Sequence, residues 1–374
     1  MEYIFWFSIL FIIYTFLGYP LILFILVKNK CKQPLPLYKY NEAISVVMVV
    51  CNENKYIKEK INNIFEMEYP SNLINLVIVD DASDDDTVAI IEGIQDPRIT
   101  LLKQLERKGK AEGLNAAFKY VKTELTLLLD ARQRVTLNAL SDLSAWFEDK
   151  NVAAVSGEVK FIESCDSKGG MDAYQKYERF IRKSEASIAS VPGVSGAIYM
   201  LRTSKFEAMP VDTILDDVLI PMVASKHGQW IGFDERVIAW DIPSNDWNRE
   251  RKRKTRTLNG NYQLLFRNLS WCTSFGHYNW KAFVSHKVTR LLAPLFMLLV
   301  LISAVDLGLS GNDFYMLSFI VMVLAILLYP VSIVLPVLNR FKIIRIFSAF
   351  IALNWFNVLG FISFISINKK QSWK

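Results

Sequence analysis

Tyr3–Val27 is a run of apolar residues without a single charge, and Leu291–Leu309, Phe314–Leu338 and Ile346–Ile367 repeat the pattern near the other end. A helix of about 20 apolar residues spans a bilayer. In lipid the backbone must satisfy its own hydrogen bonds, so such runs can only be helices. The apolar excess behind the 52% of hydrophobic residues among 374 therefore lies at the two ends and leaves the middle free to fold in water. The first run reads as a retained helix and not a secretion signal: Glu2 precedes it, it is too long, and no small-residue cleavage site follows. Asp306 shortens the second run, and Pro294, Pro330 and Pro336 predict kinks or breaks.

Lysine and arginine orient the spans. Lys28, Lys30 and Lys32 follow the first run, Lys281, Lys287 and Arg290 precede the second, and Arg340, Lys342 and Arg345 follow the third. All three groups place the middle of the chain on the cytoplasmic face of the inner membrane. Four full crossings would leave Lys369, Lys370 and Lys374 outside, against the same rule, so the number of complete C-terminal crossings stays open. The net charge of +6 gathers beside the spans, which points to anionic lipid and phosphates and not to nucleic acid. Cys31, Cys51, Cys165 and Cys272 have neither metal nor redox spacing, and reduced thiols are expected.

A linker at Pro34-Leu35-Pro36 opens the middle region. AISVVMVV, LINLVIVD, ITLLKQ and ELTLLLD read as strands, while YIKEKINNIFEM, VAIIEGI and AEGLNAAFKYV have helical spacing. This alternation predicts an α/β fold with a parallel, doubly wound sheet. The aromatic-rich Tyr262–Val284 predicts one or two helices in the membrane interface, or rings packed against the soluble domain. The chain thus divides into residues 1–33, 34–260, 261–290 and 291–374: an N-terminal span, a cytoplasmic domain, interface helices and C-terminal spans.

Chemistry concentrates at predicted strand ends, where open α/β sheets bind ligands. Asn52 and Glu53 follow the first strand, Asp80 and Asp81 the second, and Asp130 ends ELTLLLD. Lys108–Asn115, KGKAEGLN, is a basic turn opening a helix. Crowded carboxylates call for a cation, a hydroxyl-rich ligand or helix amides. Together these groups suit a nucleoside diphosphate, with carboxylates on base and ribose and with Lys and helix amides on phosphate. Helix capping accounts for Asp84–Asp86 and competes for Asp80-Asp81 and Asp216-Asp217. A KGK turn read alone is a solvated loop, and RKRKTRT at Arg251–Thr257 also reads as a membrane-surface patch. His227, His277 and His286 are scattered and carry no catalytic expectation.

The series ISVVMVVCNE, VIVDDASDDDT, ERKGKAEGLN, LLLDA, VSGAIYMLR, LDDVLIPMVASKHG and RKRKTRT resembles the membrane-bound family 2 glycosyltransferases, the group of cellulose, hyaluronan and poly-N-acetylglucosamine synthases. The resemblance implies a GT-A fold and inverting transfer from a nucleoside-diphosphate sugar. By that resemblance Asn52, Glu53 and Asp81 hold uracil and ribose, Asp80 supports the turn, Lys110 approaches the diphosphate and Asn115 positions its loop. Asp130 opens the family's metal-binding D-x-D, which implies Mg2+ or Mn2+. Asp217 matches the general base beside Asp216, Arg253 and Arg256 lie where processive enzymes carry Q-x-x-R-W, and Ser195, Gly196 and Ala197 line the acceptor site.

Two departures stand out. The D-x-D position reads Asp130-Ala131-Arg132, which leaves two arrangements open: Arg132 neutralises the diphosphate directly, or fewer protein ligands hold the metal. A strict Q-x-x-R-W is missing, which weakens any inference of long processive synthesis. The expected activity is β-transfer from a UDP-sugar to a growing cell-surface polysaccharide. Transfer of one sugar to a lipid-linked acceptor is the alternative, and a non-catalytic membrane scaffold is the rival from another class. Expected partners are the UDP-sugar, the glycan or lipid-linked acceptor and membrane lipid. A chain-conducting pore with so few helices would need a homodimer or an accessory export subunit.

Overall fold

The computed structural model describes residues 1–28, 39–162, 170–226, 228–242, 247–275, 277 and 279–366. Lys30, Cys31, Lys32, Pro34-Leu35-Pro36, Cys165, His227, Tyr278 and the tail lysines Lys369, Lys370 and Lys374 lie outside the described residues.

Every residue of β1 (Ile44–Val50, ISVVMVV) is buried. An uninterrupted apolar run of this kind belongs at the centre of a sheet covered on both faces. It pairs in parallel with β2 (Ile74–Asp80) and with β4 (Leu125–Leu129), and β2 pairs in parallel with β3 (Ile99–Lys103). Its side chains alternate between two cores. Val46, Met48 and Val50 pack with Ile57, Ile61 and Ile64 of α2 (Ile57–Phe65), while Val47 and Val49 pack with Ala111, Leu114 and Ala117 of α4 (Lys110–Phe118). Between these helices lies the short α3 (Thr87–Glu92).

The second half of the sheet changes direction. Strands β5 (Arg134–Val135), β6 (Val152–Phe161), β7 (Ile198–Arg202) and β8 (Trp230–Asp241) complete the order β3-β2-β1-β4-β7-β6-β8-β5. β7 is antiparallel to both β4 and β6, whereas β6 and β8 are parallel. The sheet is therefore mostly parallel but mixed, and its antiparallel members are the strands that the sequence patterning left unassigned. The remaining helices of this part are α5 (Ala139–Ala145), α6 (Gly170–Ile188) and α7 (Asp216–Ala224).

Gly113 lets α4 lie directly on β1: a Cβ there would stand 2.6 and 2.9 Å from the two Val49 methyls. Gly113→Ala is expected to cost about 1–3 kcal/mol through overpacking. The test is a lower thermal midpoint of the full chain in detergent.

Four helices are long and apolar enough to cross a membrane: α1 (Glu2–Lys28), α9 (Trp280–Leu309), α10 (Asp313–Val334) and α11 (Lys342–Ile365). α9 begins earlier than the uncharged run, and α10 stops at Val334 ahead of Pro336. α8 (Trp247–Arg267) runs through the expected boundary at 260 and packs along α11. A Cβ at Gly360 would meet Leu258 Cβ at 2.7 Å, Asn259 Nδ2 donates to Ser363 Oγ at 2.9 Å, and Tyr262 Oη donates to Asn357 Oδ1 at 2.8 Å.

Two prolines in these helices free carbonyls that specific side chains take up. Pro20 offers no N–H to Phe16, and Tyr177 Oη of α6 donates to that carbonyl at 2.9 Å. Pro294 likewise frees the Arg290 carbonyl, which accepts Asn357 Nδ2 at 2.8 Å. Polar contacts also tie α6 to the membrane helices. Tyr19 Oη donates to Glu185 Oε1 at 2.8 Å, His286 bridges Glu185 and Glu178 at 2.9 and 3.2 Å, and Arg290 pairs with Glu178.

Candidate active site

The register of β1, β2 and β4 brings three acidic strand ends to one sheet edge, since Val50 stands opposite Asp80 and Val47 opposite Leu128. β7 adds the reverse approach. Leu129 stands opposite Ile198, and Asp130 N–H donates to the Ala197 carbonyl at 3.4 Å. Val194 N–H in turn donates to the Asp217 carbonyl at 2.9 Å. The segment Ser195-Gly196-Ala197 thus stitches Asp130 to Asp217. A Cβ at Gly196 would lie at ordinary contact distance, 3.6 Å, from Asp217 Oδ2, so this backbone runs directly beside that carboxylate.

Lys110 stands among the carboxylates. Its Nζ lies 2.8 Å from Asp130 Oδ1 and 3.2 Å from Asp216 Oδ2, with only 16% of its side chain exposed. α4 begins here because Gly109 adopts φ 88°, a left-handed turn that glycine reaches without strain. Asp81 holds the same turn and is fully buried, accepting Lys108 N–H at 2.7 Å and Gly109 N–H at 3.0–3.1 Å. Both Asp81 oxygens are therefore spent on the loop. Asp80 accepts Ser83 N–H at 3.1 Å and supports its turn. Among the acids expected to cap a helix, Asp85 receives Thr87 N–H at the start of α3, at 2.9 Å.

Asn52 takes the left-handed φ of 58° and receives Asp84 N–H at 2.9 Å. The Glu53 carboxylate is buried and binds Arg132 Nε through both oxygens at 2.9 and 3.2 Å. Burial pushes the Glu53 carboxyl up, against the pull of Arg132. Asn115 is directed elsewhere, because its amide exchanges two hydrogen bonds with the Met209 backbone at 2.9 and 3.0 Å. Arg253 and Arg256 are exposed on α8, and Arg253 pairs with Glu250. α8 reaches the site through its backbone partners: Gln263 accepts Ile214 N–H at 3.0 Å and donates to the Asp212 carbonyl at 2.9 Å, just ahead of Asp216.

Asp216 and Asp217 open α7. No hydrogen bond or ion pair holds the Asp217 carboxylate among the described residues. Burial, with Asp216 next, raises its pKa to about 6, while Lys110 and Lys287 pull it down and Asp130 pushes it up. Two neighbours escaped the sequence reading. Tyr199 is 1% exposed with a hydroxyl that has no partner among the described residues, and Asp216, Asp217 and Asp130 add to the burial that raises its pKa. Lys60 is buried and donates to the Gln133 carbonyl at 2.6 Å, and burial lowers its pKa to about 7. The signal for Lys60 was a lysine within the apolar stripe Ile57, Ile61 and Ile64.

A divalent ion fits this donor set poorly. Asp130 supplies one carboxylate and already carries an ammonium, a guanidinium replaces the second acid, and the described residues include no group of three or more His, Cys, Asp or Glu able to hold a metal.

The family described as Glycosyl transferase family 2 matches residues 45–208. The poly-beta-1,6-N-acetyl-D-glucosamine synthase of Staphylococcus aureus (strain COL) is 22% identical over 233 residues, 60% of this chain and 56% of that protein. The chain therefore spans little more than half the length of that curated relative. The poly(ribitol-phosphate) beta-N-acetylglucosaminyltransferase TarS of Staphylococcus aureus (strain Mu50 / ATCC 700699) is 29% identical over 107 residues, 28% of this chain and 19% of that protein. The mannosyltransferase PcManGT from Pyrobaculum calidifontis, solved with GDP-Man and Mn2+, superposes with a TM-score of 0.71 at 18% identity, covering 97% of this chain and 99% of that one. The likeness extends through the four long apolar helices and identifies the fold as GT-A-like. Residues 45–208 thus match a glycosyl transferase family 2 domain.

Proposed function

We propose that this chain transfers a sugar from a UDP-sugar, with inversion, to a polysaccharide growing at the cytoplasmic face of the membrane. One observation carries the reading: Asp217 is a half-buried carboxylate without a partner among the described residues, set beside the Lys110 ion-pair cluster and the backbone of Gly196. The acceptor oxygen attacks the anomeric carbon opposite the diphosphate, and Asp217 takes its proton. The anomeric carbon–oxygen bond breaks as the new one forms, and the diphosphate leaves with the electron pair. Lys110 is placed to meet that charge. The kinship with the synthases of Staphylococcus aureus supports a polysaccharide product. The reading assigns Asn52 to the nucleoside and Ser195, Gly196 and Ala197 to the acceptor.

A second reading draws on Lys287 of α9, whose charge acts on Asp217. A membrane helix that close to the base favours an acceptor delivered from the lipid surface. The two readings separate in one assay. The full chain in detergent is supplied with UDP-glucose, UDP-N-acetylglucosamine, UDP-galactose and their uronic acids, with and without extracted lipid. Polymer formed without lipid supports the first reading, a lipid-borne product supports the second, and release of no UDP from any donor overturns both.

Activity should also fall on acidification. Asp217 works as the carboxylate, and its raised pKa means that form is lost as pH drops through about 6. Below that point kcat/KM should decline about tenfold per pH unit. A rate independent of pH between 5 and 8 would remove Asp217 as the base.

A further inference from the structure

The Asp130-Ala131-Arg132 segment carries its own cations. Lys110 Nζ reaches Asp130 at 2.8 Å and Asp216 at 3.2 Å. Arg132 gives only Nε to Glu53, at 2.9 and 3.2 Å, and no partner holds its two Nη groups among the described residues. Its side chain is 48% exposed while that of Glu53 is 8% exposed, so a buried carboxylate orients a guanidinium whose fork is open to a ligand. Lys60 stands behind the segment, on the carbonyl of Gln133. An ion at Asp130 would therefore meet the Lys110 ammonium at contact range, where like charges repel most strongly, with the Arg132 guanidinium two residues along on Glu53.

We propose that Lys110 and Arg132 neutralise the departing diphosphate, so that donor binding and transfer need no divalent metal. The inference rests on the UDP-sugar reading above. A guanidinium presents paired N–H groups that match two phosphate oxygens, and Lys110 has a third N–H beyond its two carboxylates. As the anomeric carbon–oxygen bond breaks, the electron pair moves onto the β-phosphate and these two cations take up the added charge. The proton goes to Asp217 and no co-reactant is consumed.

The test uses the full chain in detergent, stripped with EDTA, with UDP and GDP titrated calorimetrically in EDTA and again in Mn2+. The wild type should bind one nucleotide with Kd values that agree within about threefold between the buffers. Arg132→Asp, which restores an acid to the position, should weaken binding about tenfold or more in EDTA and recover it in Mn2+. Wild-type binding that weakens about tenfold or more in EDTA overturns the inference and leaves the donor reading intact. Wild-type-like binding by Arg132→Asp in EDTA removes Arg132 from the site. Binding of neither nucleotide in either buffer overturns the donor reading itself. Should Arg132→Asp fail to fold, the wild-type comparison decides alone.

Discussion

Asp217→Asn is expected to lower kcat by about 10²–10⁴-fold, the range general-base catalysis supplies. The substitution keeps the size and planarity of the side chain, so its packing beside Gly196 and the backbone bond from Val194 should survive. What it removes is the acceptor for the proton. Nucleotide binding should change less than threefold or so, because Lys110 remains on Asp130 and Asp216. Stability supplies an independent readout. A carboxyl whose folded pKa is raised to about 6 is disfavoured as the anion in the native state, so above that pH its charge opposes folding. An uncharged amide removes that opposition, and the thermal midpoint at pH 8 should hold or rise. A variant that is folded, binds UDP and keeps more than about a tenth of the wild-type rate would exclude Asp217 as the base.

The strand-end carboxylates were legible because a buried parallel strand is an unbroken apolar run, and β1, β2 and β4 announce themselves in that way. Their shared edge follows from parallel pairing. The reverse half of the sheet was less legible: β7 and β8 owe their places to partners far along the chain, and β8 alternates irregularly between buried and exposed positions. Within the site, residue type told less than geometry. Asp81 and Asn115 have the chemistry of ligand-binding groups, yet backbone amides at Gly109 and Met209 claim them. The Glu53–Arg132 pair spans 79 positions, and local spacing carries no trace of it. The membrane ends were readable from composition alone. The fastening of α8 to α11 was not, since it depends on the single-atom side chain of Gly360 and on the amides Asn259 and Asn357.

Lys110→Met should damage stability and donor binding together, and the order of the two effects separates its roles. The ammonium stands between Asp130 and Asp216, and both carboxylates push its pKa well above the ordinary lysine range, so it stays charged at every working pH. Methionine fills much of the same volume without charge. Removing one partner of a fully buried ion pair costs about 3–5 kcal/mol, and the cost here should be smaller because Asp130 is 37% exposed, although Asp216 stays desolvated and the two carboxylates repel one another. Asp217 would feel this too: Lys110 now holds its pKa down, so the acid limb of any residual activity should move above pH 6. Nucleotide affinity should fall about 10–100-fold if Lys110 also meets the diphosphate. Lys110→Arg resolves the overlap, since it returns the charge with a different shape. Recovery of the thermal midpoint without recovery of UDP affinity would show that the diphosphate needs the compact ammonium at that point. If UDP affinity in Lys110→Met matches the wild type while the midpoint drops, Lys110 is confined to holding the carboxylates together and Arg132 is left to meet the diphosphate alone.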